Sequence, residues 1–133
     1  MRVAELMQTD VKAIAPDASI AELVRSLAEA RVSGLPVVDA EGHVIGVVSA
    51  GDVLRAAAEQ DDGKARAALF QRVRVRDIMT PNPHVIEPDA DSREAAKHML
   101  YADVRRLFVE EQGRLVGVIS QTDIAHAVGT GRL

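Results

Sequence analysis

Gly117-Val118-Ile119-Ser120-Gln121-Thr122-Asp123 carries an apolar strand pattern into a polar turn, and Gly46-Val47-Val48-Ser49-Ala50-Gly51-Asp52 repeats it. In each stretch a glycine is expected to close a hairpin and β-branched residues predict a buried strand. Ser-x-x-Asp then stands where Ile124 or Val53 opens an apolar helical face. A strand that runs straight into a helix N-terminus leaves backbone N–H groups open, so this junction is where a ligand would sit.

Working outward, the whole chain is written twice. Met7 and Met79, Pro16 and Pro88, and Leu35 and Leu107 each lie 72 residues apart. Beyond the hairpin turn the spacing becomes 71, for Gly46 and Gly117, Ser49 and Ser120, and Asp52 and Asp123. The second copy has therefore lost one residue in a turn, where chain length is best tolerated.

Each copy begins with a short helical turn (Val3 to Met7; Val75 to Met79) and an extended piece (Val11 to Ile14; His84 to Ile86), stopped by Pro-Asp. Ser19-x-x-Glu22 reads as a capping box and Asp91-x-x-Glu94 as its counterpart. The first helix that follows carries Ile20, Leu23, Val24, Leu27 and Ala28 on one stripe. The second carries Ala95, Ala96, Met99 and Leu100 with Ser92 in place of Ile20, and is expected to bury less apolar surface. Next come hairpins, Leu35 to Asp39 with Val44 to Val48 and Leu107 to Glu110 with Leu115 to Ile119, where Gly42 and Gly113 supply positive φ. A helix closes each copy, Gly51 to Gln60 or Thr122 to Val128. Asp61-Asp62-Gly63 breaks the first of these, and Lys64 to Gln71 predicts a helical connector with Ala65, Ala68 and Leu69 on one face. The expected division is a repeat over 1–60, a linker over 61–74 and a repeat over 75–133. The fold class is α+β. One β-α-β-β-α repeat of this size cannot bury both faces of its sheet, whereas two related by a pseudo-twofold can.

Composition narrows the function. The 133 residues hold three aromatics, Phe70, Tyr101 and Phe108, too few for stacking on nucleic-acid bases. A net charge of −4 gives no electrostatic footprint for nucleic acid or an anionic membrane, so neither partner is expected. The absence of cysteine removes disulfides, thiolate nucleophiles and thiolate zinc sites. Residues 1–15 lack an apolar signal core and no run approaches the ~20 apolar residues of a membrane span, which makes a cytoplasmic location the expectation.

Together these residues resemble a known family, the tandem pair of cystathionine β-synthase (CBS) domains called a Bateman module. Its marks are Asp77-Ile78-Met79-Thr80-Pro81, Val32-Ser33-Gly34-Leu35-Pro36-Val37-Val38-Asp39, and the two Gly-x-x-Ser-x-x-Asp stretches. The first copy departs from the pattern, with Gln8-Thr9 where the second has Thr80-Pro81. The resemblance implies two clefts at the repeat–repeat interface, each able to take a regulatory adenosyl ligand. It also implies a homodimer formed through helices, with which the small residues Ala56-Ala57-Ala58, Ala125 and Ala127 are compatible. Related chains append such a pair to a dehydrogenase, channel, transporter or kinase subunit. Here nothing outside the pair is left for an enzyme, so a stand-alone, non-catalytic module acting on an unknown partner protein is expected.

A nucleoside phosphate needs an apolar slot for the base, an acceptor for the ribose hydroxyls and donors for the phosphates. By the resemblance, Asp123 and Asp52 accept from the ribose diol. Ser120 and Ser49, with the helix N–H groups, offer donors, and Thr80 joins the set from the family motif. Val85, Ile86 and Ile119, or Val11, Ala13 and Val48, would line the base slot. The competing reading of Ser-x-x-Asp is a helix cap worth about 1 kcal/mol. Arg105-Arg106 stands where the first copy has Ser33-Gly34, and in nucleotide-binding members of the family a basic pair here meets the phosphates. The alternative is a solvated surface pair near Asp103 or Glu110. The expectation is one competent site around Asp123 with Arg105-Arg106, and a weaker or empty one around Asp52. AMP, ADP, ATP, S-adenosylmethionine and NAD share the adenosyl group, and the arginines favour a phosphorylated one. No cofactor is required.

Other chemistry finds no support in spacing. His43, His84, His98 and His126 form no His-x-x-x-His or His-x-Glu pattern and read as surface or edge residues, so no metal site is expected. There is no phosphate-binding Gly-x-x-x-x-Gly-Lys loop and no triad. Arg72, Arg74 and Arg76 alternate with valines and read as a solvated face. Two functions remain, a ligand-sensing module and a purely structural interaction module whose Ser-x-x-Asp turns are caps.

Overall fold

The computed structural model describes residues 1–60 and 62–132. Its helices in chain order are α1 (Val3–Leu6), α2 (Ile20–Ala30), α3 (Ala50–Ala58), α4 (Gly63–Arg72), α5 (Val75–Ile78), α6 (Ser92–Ala102) and α7 (Gln121–Gly129). The strands are β1 (Gly34–Val38), β2 (Val44–Ser49), β3 (Thr80–Pro81), β4 (Val85–Ile86), β5 (Arg106–Glu111) and β6 (Arg114–Ser120). The expected break at Asp61 lies outside the described residues; Asp62 beyond it caps α4 by accepting from Ala65 N at 2.7 Å.

The compact units are not the two sequence copies. Lys12–Asn82 forms one, and Met1–Val11 with Pro83–Leu133 the other, so each unit takes the leading segment of the opposite copy. Backbone hydrogen bonds fix the exchange. In the first unit Val75 N donates to Ala18 O at 2.9 Å and Arg76 N to Pro16 O at 2.9 Å. In the second, Val3 N donates to Ala90 O at 2.8 Å and Ala4 N to Pro88 O at 2.9 Å. Val75 and Val3 are fully buried, and each plugs the core it joins.

In the Lys12–Asn82 unit β1, β2 and β3 form one antiparallel sheet. The extended piece ending at Ile14 contributes a single parallel bridge to Val37 rather than a strand. Leu23 and Leu27 of α2 pack on Leu35, Val37 and Val48, and α4 lies against α2 with Leu69 buried. In the other unit β4 pairs parallel to β5, and β5 antiparallel to β6. Gln8 bridges the far side of β6 at Val118. Ala95 and Met99 of α6 pack on Leu107, Val109, Ile119 and Ile124.

The apolar stripes are narrower than the sequence predicts, since Val24 is 42% exposed and Leu100 75%. Ser92 occupies the fully buried place of Ile20, and its Oγ has no partner among the described residues. The hairpin glycines also need correcting. Gly42, at φ 92°, and Gln112-Gly113, at φ 52° and 77°, make the turns, whereas Gly46 and Gly117 lie inside β2 and β6. A Cβ on Gly117 would come 2.7 Å from Met7 Sδ and 2.8 Å from Gln8 O, and one on Gly46 would meet Met79 Sδ and Thr80 O at 2.7 and 2.9 Å. These glycines admit the exchanged segment across the strand.

Candidate functional site

Both Ser-x-x-Asp stretches fold as reciprocal caps, for a local reason. The serine is the last extended residue of its strand; its side chain reaches forward to the N–H of the third helical residue, an aspartate whose carboxylate reaches back to the serine N–H. Asp123 N donates to Ser120 Oγ at 3.1 Å and Ser120 N to Asp123 Oδ2 at 2.9 Å. In the other unit Asp52 N donates to Ser49 Oγ at 3.3 Å and Ser49 N to Asp52 Oδ2 at 2.8 Å.

The two copies differ in what remains free. Asp52 is 7% exposed. Its Oδ2 also accepts from Ser49 Oγ at 3.1 Å, and the Arg55 guanidinium holds Oδ1. Asp123 is half-buried, and among the described residues its Oδ1 accepts only from the uncharged Gln8 Nε2, at 3.2 Å. The Ser120 hydroxyl has no acceptor among the described residues, so its proton stays available. Arg55 and Gln8 were not singled out from sequence. Asp52-x-x-Arg55 carried a signal, as an i,i+3 ion pair on a helix. Gln8 carried one only through its equivalence to Thr80.

Arg106 lies directly opposite Ser120 across the β5–β6 ladder, and Arg105 O accepts from Gln121 N at 2.9 Å. Both arginines are exposed, and neither side chain forms an ion pair or hydrogen bond with another described residue. One unit therefore holds two uncommitted cations, a free hydroxyl and a half-open carboxylate at the start of α7. In the same unit Val85 is exposed on β4 and Ile86 half-buried, while Ile119 is fully buried, so Ile119 packs behind the strand face. Thr80 falls in the other unit, with Ser49 and Asp52, where it pairs with Val47 as Gln8 does with Val118. Ala127 is fully buried and belongs to the core rather than to a free helix face. Among the described residues no group of three or more His, Asp or Glu side chains could hold a metal ion.

The family model described as CBS domain matches residues 3–59 and again 75–130. The chain belongs to the CBS domain family. It carries two CBS domains in tandem, and each sequence domain contributes its leading turn to the unit built on the other. CBS domain-containing protein CBSX1, chloroplastic, of Arabidopsis thaliana is 29% identical over 89% of this chain and 59% of its own length. An inosine-5'-monophosphate dehydrogenase of Methanocaldococcus jannaschii is 31% identical over 90% of this chain and 22% of its own length. The CBS pair thus spans less than two thirds of either relative. Among solved structures, CBSX2 of Arabidopsis thaliana in complex with AMP is 27% identical with a TM-score of 0.78, covering 99% of this chain and 98% of that one. A CBS-domain protein of Agrobacterium tumefaciens is 31% identical with a TM-score of 0.74, covering 96% and 92%. Among the described residues no helix of this CBS pair is long and apolar enough to cross a membrane.

Proposed function

We propose that this CBS pair binds a phosphorylated adenosyl ligand through the unit that holds Asp123, and passes the occupancy to a partner protein without catalysing a reaction. The observation that carries this reading is the placement of Arg106 opposite Ser120 in the unit of the half-buried Asp123, with neither Arg105 nor Arg106 in an ion pair with another described residue. Ribose hydroxyls would donate to Asp123, and phosphate oxygens would accept from Arg105, Arg106 and Ser120, the charge-assisted bonds supplying most of the affinity. The AMP complex of CBSX2, which matches nearly the whole chain, supports the ligand class. The closure of Asp52 by Arg55 supports a single strong site, leaving Ser49, Asp52 and Thr80 to a weak one. Signalling requires that the ligand prefer one packing of the module over another, since equal binding shifts nothing. A cytoplasmic homodimer, pairing through exposed helix residues such as Leu54 and Val128, is the form in which we place it.

Calorimetry of AMP, ADP, ATP, adenosine and S-adenosylmethionine against the full chain tests the proposal. AMP is expected to bind at one site per chain. Arg106→Ala should weaken AMP by ten- to a hundredfold and leave adenosine unchanged, since a hydrogen bond to a charged group contributes about 1.5–3 kcal/mol. Asp123→Ala should weaken both, and Asp52→Ala neither. No heat from any of these at millimolar concentration would leave the capping boxes as the whole role of Ser-x-x-Asp. The chain would then be a structural interaction module, a reading that the complete caps of both copies favour.

A further inference from the structure

His84 and His98 have no chelating spacing in sequence, yet the fold brings His84 Nδ1 to 3.2 Å from His98 Nε2. The rings meet edge to face, with centroids 5.3 Å apart and planes at 81°. Two neutral imidazoles at this distance share one hydrogen, the N–H of one donating to the lone pair of the other. The same separation suits two neighbouring ligands of one metal ion. Bonds of about 2.0–2.1 Å enclosing an angle of about 100° span about 3.2 Å.

The geometry points to a divalent transition-metal site formed by His84 Nδ1 and His98 Nε2, with water or an incoming donor filling the remaining positions. The ion takes the place of the shared proton, and each ring turns until its lone pair faces the ion instead of the other nitrogen. Little else has to move. His84 O accepts from Phe108 N at 3.1 Å, and the next residue, Val85, lies in register with Phe108, so the edge of the β4–β5 ladder holds that backbone. His98 stands on α6 between Ala95 and Met99, both fully buried, which fixes the rotation of the helix. Preorganised backbones leave only side-chain torsions to be ordered on binding. His98 is reachable from a shallow depression that it lines with Lys97, Leu100 and Tyr101. Two imidazoles without a carboxylate select Cu²⁺, Zn²⁺ or Ni²⁺ over Mg²⁺ and Ca²⁺. Lys97 lines the same depression, and its positive charge weakens binding of a cation there.

The test is a titration of the full chain with zinc chloride, followed through the ¹⁵N resonances of the histidine side chains. His84 Nδ1 and His98 Nε2 are expected to shift together, to return on adding a chelator, and to stay unmoved by magnesium. His84→Ala and His98→Ala should each lower the Zn²⁺ affinity at least tenfold, and His43→Ala and His126→Ala should leave it unchanged. If an alanine variant fails to fold, judged by circular dichroism, His84→Gln and His98→Gln keep the bulk and polarity and replace it. The site is overturned if neither resonance moves at millimolar zinc, if His84 and His98 variants bind as the wild type does, or if His43→Ala or His126→Ala weakens binding equally.

Discussion

Gln8 Nε2 donates to Asp123 Oδ1 at 3.2 Å, across 115 residues of chain, while the corresponding oxygen of Asp52 is held by Arg55 three residues away. A neutral amide and a guanidinium make different gates. The uncharged Gln8 amide makes one exposed bond to the Asp123 carboxylate, which a ribose hydroxyl can replace with another of the same kind, whereas an arginine bond to a buried carboxylate pairs two charges and is harder to displace.

Gln8→Ala should therefore raise the affinity for AMP two- to fivefold, because the ligand no longer has to displace the amide. Calorimetry against the wild type checks this. A weaker affinity in Gln8→Ala would mean that Gln8 orients Asp123 for the ligand instead of competing with it.

Arg55→Ala should release Asp52 Oδ1 and raise the stoichiometry of AMP from one per chain toward two. The Arg55 side chain is 70% exposed but that of Asp52 only 8%, so the change leaves a buried carboxylate without its cation and should also lower stability, which urea denaturation reads separately from the stoichiometry. Unchanged stoichiometry, with the first site still competent, would place the asymmetry in Arg105 and Arg106 alone.

Ser92→Ala should stabilise the protein. Ser92 Oγ is buried with no partner among the described residues, and a buried unsatisfied hydroxyl costs about 1–3 kcal/mol. The backbone bond from Ser92 N to Met1 O, at 2.8 Å, is untouched by the change. Urea denaturation should give a higher midpoint at unchanged slope, and a lower midpoint would rule the account out.

Gly117→Ala should destabilise by about 1–3 kcal/mol, the usual range for overpacking, because the new methyl meets both Met7 Sδ and the Gln8 carbonyl. Hydrogen exchange should quicken first at Gln8 and Val118, which exchange backbone bonds at 2.8 and 2.9 Å. Gly129→Ala serves as the control, since nothing lies within 4 Å of a Cβ there. Equal stability losses in the two variants would refute the close-approach argument.

The sequence alone determined what near neighbours decide. Ser120 caps Asp123 and Ser49 caps Asp52 because the partners are three residues apart. The turns at Gly42 and Gln112-Gly113 and the cores on Leu23, Leu27 and Met99 follow from local backbone preference and apolar periodicity. The duplication then carried the family, since two weak patterns at matched spacing are specific together. Tertiary structure alone decided which segment completes which sheet. Met1–Val11 contains the same kind of short helical turn whichever unit it joins, and its place is set by long-range contacts, the packing of Val3 and Met7 and the backbone bonds to Pro88, Ala90 and Val118. From that choice follow the Gln8 contact to Asp123 and the membership of Thr80 in the unit of Asp52. The meeting of His84 and His98 is of the same kind, because it depends on how α6 packs on the sheet to which β4 and β5 belong. Periodicity states which face of a helix is buried; it carries no information on which strands that face will cover.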